Sequence, residues 1–387
     1  MRRTGQLLLV AALVSYGSLY PFDLAWPPSL AHALEELFAH PDWWTSLSDV
    51  AGNVLLFVPL GLAIVIATQA RPREGVVRAA LVLLSLALAL LLQVAQVFVP
   101  SRSAAMADVL WNGVGLTIGL FAGKAARALL QRLAIGGDRL AAVSVLVLAF
   151  WAGWRLWPFV PTVDFQQFKD ALKPLLLHPE FNFWSFASMA VSVALLSALV
   201  VSLRHPQIIL VGVTVAAIAA RPFLVAQTIS VSVLAGSAAG VGLGLGALRM
   251  GMRRALPLLV LLAVLWFTVE SLRPFAFSDA PGAMNWVPFA ALLDGSMDNN
   301  LAALCGLAFV TGALAVMGRR MHMRGGGWTI TVMVWLVLLE VAQMWLPART
   351  ADLTVALFPA AWWLALRTLS GRQAKAGSGQ HRQRGST

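Results

Sequence analysis

From Ala79 to Leu92 the chain runs fourteen residues with a single hydroxyl and no charge, and comparable apolar runs recur along its length. A backbone carried into hydrocarbon must satisfy every N–H and C=O within itself, which leaves helices or closed barrels. A run of about 17 to 25 apolar residues is the length of a membrane-crossing helix. Such runs fall near residues 5–21, 50–69, 78–99 and 107–124, then 140–159, 184–203, 206–225 and 229–248, then 255–272, 299–317, 328–346 and 352–368. Composition agrees: 59% of the 387 residues are hydrophobic and 12% charged, about half the charge fraction of a soluble domain. The expected fold is an all-α polytopic membrane protein of about twelve transmembrane helices in three groups of four.

The net charge of +11 does not point to nucleic acid, because the basic residues are scattered through short loops. Arg71, Arg73 and Arg78 fall in one loop, and Lys124, Arg127, Arg132 and Arg139 in another. Arg204, then Arg249, Arg253 and Arg254, then Arg319, Arg320 and Arg324 occupy alternate loops after that. The segment 22–48 holds Asp23, Glu35, Glu36 and Asp42 but no Lys or Arg. By the positive-inside rule both termini are expected in the cytoplasm and the loops 22–48, 160–183 and 274–298 outside. Met1-Arg2-Arg3 and the run after it resemble a signal peptide, but with no good small-residue cleavage site they read as a retained first span. The Gly-, Ser-, Gln- and Arg-rich stretch 371–387 reads as a disordered basic cytoplasmic tail.

Internal repetition divides the rest into units at 1–137, 138–254 and 255–370. Each unit's first span closes on a related phrase: Ser18-Leu-Tyr-Pro-Phe22, Arg155-Leu-Trp-Pro-Phe159 and Ser271-Leu-Arg-Pro-Phe275. A constant offset of 247 residues relates Asn53 to Asn300, Gln96 to Gln343 and Arg102 to Arg349. Chance apolar similarity rarely keeps an ungapped register across two helices and a loop. The middle unit reads as a degenerate copy. At an offset of 124 it has Ala217 and Ala220 in place of Gln93 and Gln96, and Ser232-Val-Leu-Ala-Gly236 in place of Asp108-Val-Leu-Trp-Asn112.

Polar residues inside apolar spans are costly unless they face a partner or a cavity. Gln93 and Gln96 sit three apart, and so do Glu340 and Gln343; each pair shares a helix face and is followed by Pro-x-Arg, ending at Arg102 and Arg349. Asp49 with Asn53, and Asp108 with Asn112, are four apart and also share faces. The candidate ligand-binding residues are therefore Asp49, Asn53, Gln93, Gln96, Arg102, Asp108 and Asn112 in the first unit. The third unit offers Asn300, Glu340, Gln343, Arg349 and Asp352. An arginine in such a setting offers a planar fork for a carboxylate or phosphate. The plainer alternative is that the amides and carboxylates bond across helices and the arginines anchor at the interface. Gly236, Gly240, Gly242, Gly244 and Gly246 read as close helix packing, Cys305 as a packing residue, and the histidines show no metal-ligand spacing. No metal and no cofactor are expected.

The pattern Asn53-x5-Pro59-x-Gly61, Gln93-x2-Gln96, Pro100-x-Arg102, Asp108-x3-Asn112 resembles the VanZ-like family. These are small four-helix bacterial membrane proteins whose founder is associated with reduced sensitivity to the glycopeptide teicoplanin. The resemblance covers residues 15–124 well and 270–368 moderately, and reaches 140–250 only through the repeat. In the family the first polar position of the third helix is commonly Glu, as at Glu340, where the first unit has Gln93. Acidic residues often stand three and six positions after the Arg; the first unit keeps Asp108 and the third Asp352. The third unit lacks the Pro and Gly after its Asn, and has Pro359 where the closing Asn would stand.

The resemblance implies a protein of the bacterial cytoplasmic membrane and cell envelope, with a role in glycopeptide tolerance. The favoured reading is a non-enzymatic protein that uses an outward polar site to bind an anionic lipid-linked or peptidoglycan-derived group. The alternatives are a membrane-embedded enzyme acting on a lipid, with Glu340 or Asp108 as acid or base, and a lipid or small-solute transporter. Against the last, no aligned broken helices are apparent.

Overall fold

The computed structural model describes residues 3–39, 47–69, 72–133, 139–177, 179–290, 297–347 and 349–370. The stretches 40–46 and 371–387, with their tryptophans and basic tail, lie outside these, as does the side chain of Asp49. The chain divides into two compact units, Met1–Arg132 and Leu133–Thr387, each considered by itself.

The first unit contains α1 (Arg3–Leu19), α2 (Leu30–Ala39), α3 (Leu47–Thr68), α4 (Glu74–Gln96) and α5 (Met106–Leu133). In α3, Phe57, Leu60 and Ile64 recur at helical spacing and are fully buried. They form one core with Val14, Ala89, Leu92 and Leu116. The opposite face of α4 is just as apolar but exposed, with Leu83, Leu84 and Leu91 each about two-thirds accessible. An apolar face of that size with nothing packed on it is a lipid-facing surface. Helices α3 and α5 approach backbone to backbone: a Cβ at Gly61 would meet the Leu116 carbonyl, and one at Gly115 or Gly119 the carbonyl of Val54 or Val58. Small residues permit such contact where no hydrophobic drive between helices exists. The basic turn into α4 is held by the Arg78–Glu74 ion pair and by Arg78 Nε donating to Thr68 Oγ1.

The second unit runs α6 (Arg139–Leu156), α7 (Phe165–Leu176), α8 (Phe183–Val200), α9 (Pro206–Ala220), α10 (Val231–Met250) and α11 (Met252–Leu272). It continues through α12 (Met297–Arg320), α13 (Gly325–Gln343) and α14 (Leu357–Ser370). The two other four-helix groups read from the sequence thus share a single body. Its core joins Val147 and Trp151 of α6, Leu195 and Leu199 of α8, Phe309 of α12 and Leu336 of α13. Apolar on every side, α8 is buried from Met189 to Val200, as expected of a helix enclosed by others. Its alanines and serines meet the glycines of α10, where a Cβ at Gly240 would lie 2.6 Å from the Ala190 carbonyl oxygen. Gly242 and Gly246 face open space. Cys305 packs on α6, where a Cβ at Gly153 would come within 2.9 Å of its sulfur.

Helix starts follow side-chain capping: Asp164 accepts from Gln166 N, Asn182 from Ser185 N and Ser230 from Val233 N. Helices α2 and α7 fall inside segments expected to be long loops. In α7, Lys169 and Lys173 lie on a helix whose Phe165 and Leu176 remain exposed, the pattern of a helix lying along an interface. The Asp170 carboxyl is held below the ordinary carboxylate range by its hydrogen bond to Lys173.

Eight of the described helical segments are long and apolar enough to cross a membrane: Glu74–Gln96, Met106–Ala128, Phe183–Val200, Pro206–Phe223, Val231–Met250, Met252–Leu272, Asn300–Arg320 and Gly325–Gln343. Four shorter apolar helices, Gly5–Leu19, Gly52–Thr68, Leu140–Leu156 and Leu353–Arg367, occupy the other runs read from the sequence. The chain is a helical, multi-pass membrane protein.

Candidate functional site

Three turns in this chain are built by the same hydrogen bonds. After α1, α6 and α11 the chain passes through a cis X–Pro peptide at Pro21, Pro158 and Pro274. The following Phe22, Phe159 and Phe275 are left-handed, with φ of 66°, 60° and 64°. Each of these Phe N–H groups donates to the carbonyl three residues back, at 2.9, 3.0 and 2.9 Å.

The chain leaving α4, α9 and α13 makes two successive bonds of that kind. Val99 N donates to Gln96 O and Arg102 N to Val99 O; the others are Leu224 to Arg221 with Gln227 to Leu224, and Leu346 to Gln343 with Arg349 to Leu346. The two turns of each set are then joined, by Ala25 N to Phe98 O, Thr162 N to Phe223 O and Ser278 N to Trp345 O. Last, a side chain caps the carbonyl before the proline. Arg102 Nε reaches Tyr20 O at 2.8 Å, Gln227 Nε2 reaches Trp157 O at 2.5 Å, and Arg349 Nε reaches Arg273 O at 3.2 Å.

These bonds place Arg221 and Gln227 opposite Gln96 and Arg102, an offset of 125. The register of 124 read from the sequence, which set Ala217 and Ala220 against the two glutamines, is one residue short. Apolar helix residues are interchangeable enough that a one-residue slip leaves no trace in hydropathy. Ile218 and Arg221 therefore occupy those places, so the middle group is not without a polar residue there.

In the first unit, Gln93 is buried, and its Oε1 accepts from Ala105 N at 3.0 Å while its Nε2 points to Asp108 Oδ2 at 3.4 Å. That side chain fixes the start of α5, whose first turn carries Asp108, a favourable place for a carboxylate. Gln96, also buried, donates to Ser18 O at 2.8 Å. Asp23 holds the Pro-x-Arg turn through Ser101, accepting from its N at 3.2 Å and its Oγ at 2.8 Å. Sequence reading counted Asp23 only as loop charge; its place directly after Pro-Phe was the available signal. Arg102 is exposed, with Nε committed to Tyr20, and its fork edge is the part that can meet a ligand. Asn53 is half-buried on α3, and Asn112 is buried on α5 with Oδ1 lacking a partner.

In the second unit, Glu340 plays the part of Gln93: its Oε2 accepts from Asp352 N at 2.7 Å. Asp352 Oδ1 in turn accepts from Thr354 N and Oγ1, and Thr354 Oγ1 accepts from Phe289 N at 2.7 Å. A two-residue parallel pairing of β1 (Met284–Asn285) with β2 (Ala351–Asp352) locks the same loops. Arg349 is exposed and adds a bond from Nη2 to Glu270 O at 2.8 Å. It lines a cleft with Ser278, Pro281, Gly282, Met344 and Thr350. Gln343 is buried, and Asn300 half-buried on α12. Among the described residues no group of His, Cys, Asp and Glu is arranged to hold a metal.

Sequence reading missed three charged residues at helix ends in this unit: Arg155, Arg221 and Glu270. Arg155 Nη2 donates to Ser188 O and Oγ and to Ser192 Oγ, and Arg221 Nη2 to Arg155 O.

Residues 6–127 match the family model described as VanZ/LLP1. No curated protein and no solved structure matches the chain. The matched stretch spans α1 to most of α5 and contains the whole Gln93, Arg102 and Asp108 bracket. The chain thus carries a VanZ/LLP1 match over its first compact unit, followed by a second unit that the match does not reach.

Proposed function

We propose that this protein is a VanZ-like component of the bacterial cytoplasmic membrane, with both termini inside and its polar brackets facing out. There it binds an anionic lipid-linked or peptidoglycan-derived group, with glycopeptide tolerance as the physiological role. The observation that carries this reading is the mounting of Arg102 and Arg349. Each is exposed and pinned through Nε to a main-chain carbonyl, so its position is set before any ligand arrives. A guanidinium held in place presents its fork to phosphate or carboxylate at a lower entropic cost than a mobile one. The four-helix groups at 1–137, 138–254 and 255–370 are, in this reading, repeats of one ancestral unit. The recurrent turn hydrogen bonds support that descent.

Mass spectrometry of lipids co-purifying with the intact protein, beside an Arg102→Ala, Arg349→Ala variant, tests the proposal. A defined anionic lipid or wall precursor should accompany the parent and be depleted at least about tenfold from the folded variant, as expected when charge-assisted bonds are removed. Identical lipid profiles would reduce both arginines to structural fasteners.

A further inference from the structure

Among the described residues, Arg155 Nε, Trp157 Nε1, Arg221 Nε and Glu270 Oε2 are buried without a hydrogen-bond partner; Arg221 bonds the Arg155 carbonyl, and Trp157 follows Arg155 by two residues. Arg155 ends α6 with Nη2 bonded to Ser188 O at 2.6 Å and to Ser188 Oγ and Ser192 Oγ at 2.9 Å each. Its guanidinium lies 3.7 Å from the Trp154 ring centroid. Arg221 is 9% exposed; its Nη1 donates to Thr228 O at 2.8 Å and its Nη2 to Arg155 O at 3.3 Å. Arg221 and Glu270 are the charged groups acting on Arg155.

Arg155 thus has a second guanidinium, Arg221, and one carboxylate, Glu270, around it. The serine hydroxyls and main-chain carbonyls accept hydrogen bonds but bring no negative charge, so a net positive charge remains in a largely desolvated place. Buried charge is costly without a counter-charge, and buried N–H groups are normally partnered.

The first unit shows that the turn does not need these cations. There the equivalent contact is made by neutral residues, Gln96 Nε2 to Ser18 O at 2.8 Å, where the second unit has Arg221 Nη2 to Arg155 O. The cations are additions to the shared turn.

We infer that Arg155, Arg221 and Trp157 form an anion site that takes a phosphate group, either a phospholipid headgroup or free phosphate. Its unpartnered donors are the two arginine Nε–H groups and the Trp157 Nε1–H. A tetrahedral phosphate, with more acceptor oxygens than a carboxylate, suits donors supplied by three separate side chains. The nearest exposed surface is just past the end of α6, at Phe159 and Val160. The site shares no donor with the Arg102 and Arg349 brackets, although Arg349 Nη2 bonds the Glu270 carbonyl, and it does not rest on the role proposed for them.

The test uses full-length protein, stripped of lipid in detergent and titrated with phosphatidylglycerol, diacylglycerol or inorganic phosphate. Native mass spectrometry and thermal unfolding read the binding. The Arg155→Ser, Arg221→Gln variant carries the residues that the first unit tolerates at these places. Phosphatidylglycerol should bind the parent at least about tenfold more tightly than this variant, while diacylglycerol, lacking the phosphate, should not distinguish them. Protection by inorganic phosphate as well identifies the free ion; protection by phosphatidylglycerol alone identifies the headgroup. Equal binding by parent and variant would overturn the site. If the double variant does not fold, Arg155→Lys keeps the charge but loses the Nε donor. It should bind several-fold more weakly, and undiminished binding would likewise overturn the inference. The Arg102→Ala variant, whose arginine bonds Tyr20 O and none of these residues, should retain this binding, which keeps the two outcomes apart.

Discussion

Gly119→Leu is expected to abolish the folded first unit, and Gly119→Ala to cost on the order of 1–3 kcal/mol, the range for overpacking a tight contact. Added to Gly119, a Cβ would run into the Val58 carbonyl and lie 2.9 Å from Gly61 Cα. Those neighbours are backbone, so no side-chain rotation relieves the clash and α3 and α5 must part. The core of Phe57, Leu60 and Ile64 against Leu116 depends on that approach. The same change at Gly242, where an added Cβ meets nothing within 4 Å, should be neutral or stabilising by up to about 1 kcal/mol through helix propensity. Thermal unfolding and the size-exclusion profile in detergent measure both. A Gly119→Ala protein as stable as Gly242→Ala would mean that α3 and α5 do not meet as described.

The second large effect is expected at Glu340. Glu340 is 7% exposed, and its carboxylate accepts from Asp352 N, which anchors β2 and, through Thr354, the loop at Phe289. Glu340→Leu removes the acceptor and leaves a buried N–H unpaired, a loss of about 1–3 kcal/mol. Glu340→Gln keeps a carbonyl oxygen in the same place and should cost under about 1 kcal/mol, as Gln93 already bonds Ala105 N in this way at 3.0 Å. Unfolding temperatures in the order parent, Gln, Leu are the expected result. If Gln is as damaging as Leu, the charge itself matters there, which would favour acid–base chemistry over a structural bracket.

What the sequence made legible followed from the physics of hydrocarbon. Each long apolar run is a helix, because no other structure hides its backbone; most bounds differ by only a few residues, as at 78–99 against Glu74–Gln96, but the run at 107–124 belongs to a helix that continues to Leu133. Cys305 and the α10 glycines Gly236, Gly240 and Gly244 pack as their apolar setting suggested. The short α2 and α7 escaped notice, since an amphipathic helix of ten or twelve residues resembles a polar loop.

In the candidate site, Gln93 and Asp108 come together, as do Glu340 and Asp352. The true partners of Gln96, Arg102 and Arg349, however, are main-chain carbonyls. No side-chain pattern can announce a carbonyl. Arg155 and Arg221 were hidden for a related reason: a cation at a span end looks like an interface anchor until its neighbours are known.

The most direct measurement asks which side of the membrane the two brackets occupy. On a Cys305→Ser background, cysteines replace Ser103, Thr350 and, in the first turn of α4, Gly75, all exposed in the protein. Labelling of intact cells with a membrane-impermeant maleimide should modify Ser103→Cys and Thr350→Cys, and should reach Gly75→Cys only after permeabilisation. Labelling of Gly75→Cys alone in intact cells, or of Ser103→Cys and Thr350→Cys from opposite sides, would contradict an outward-facing pair of anion-binding brackets.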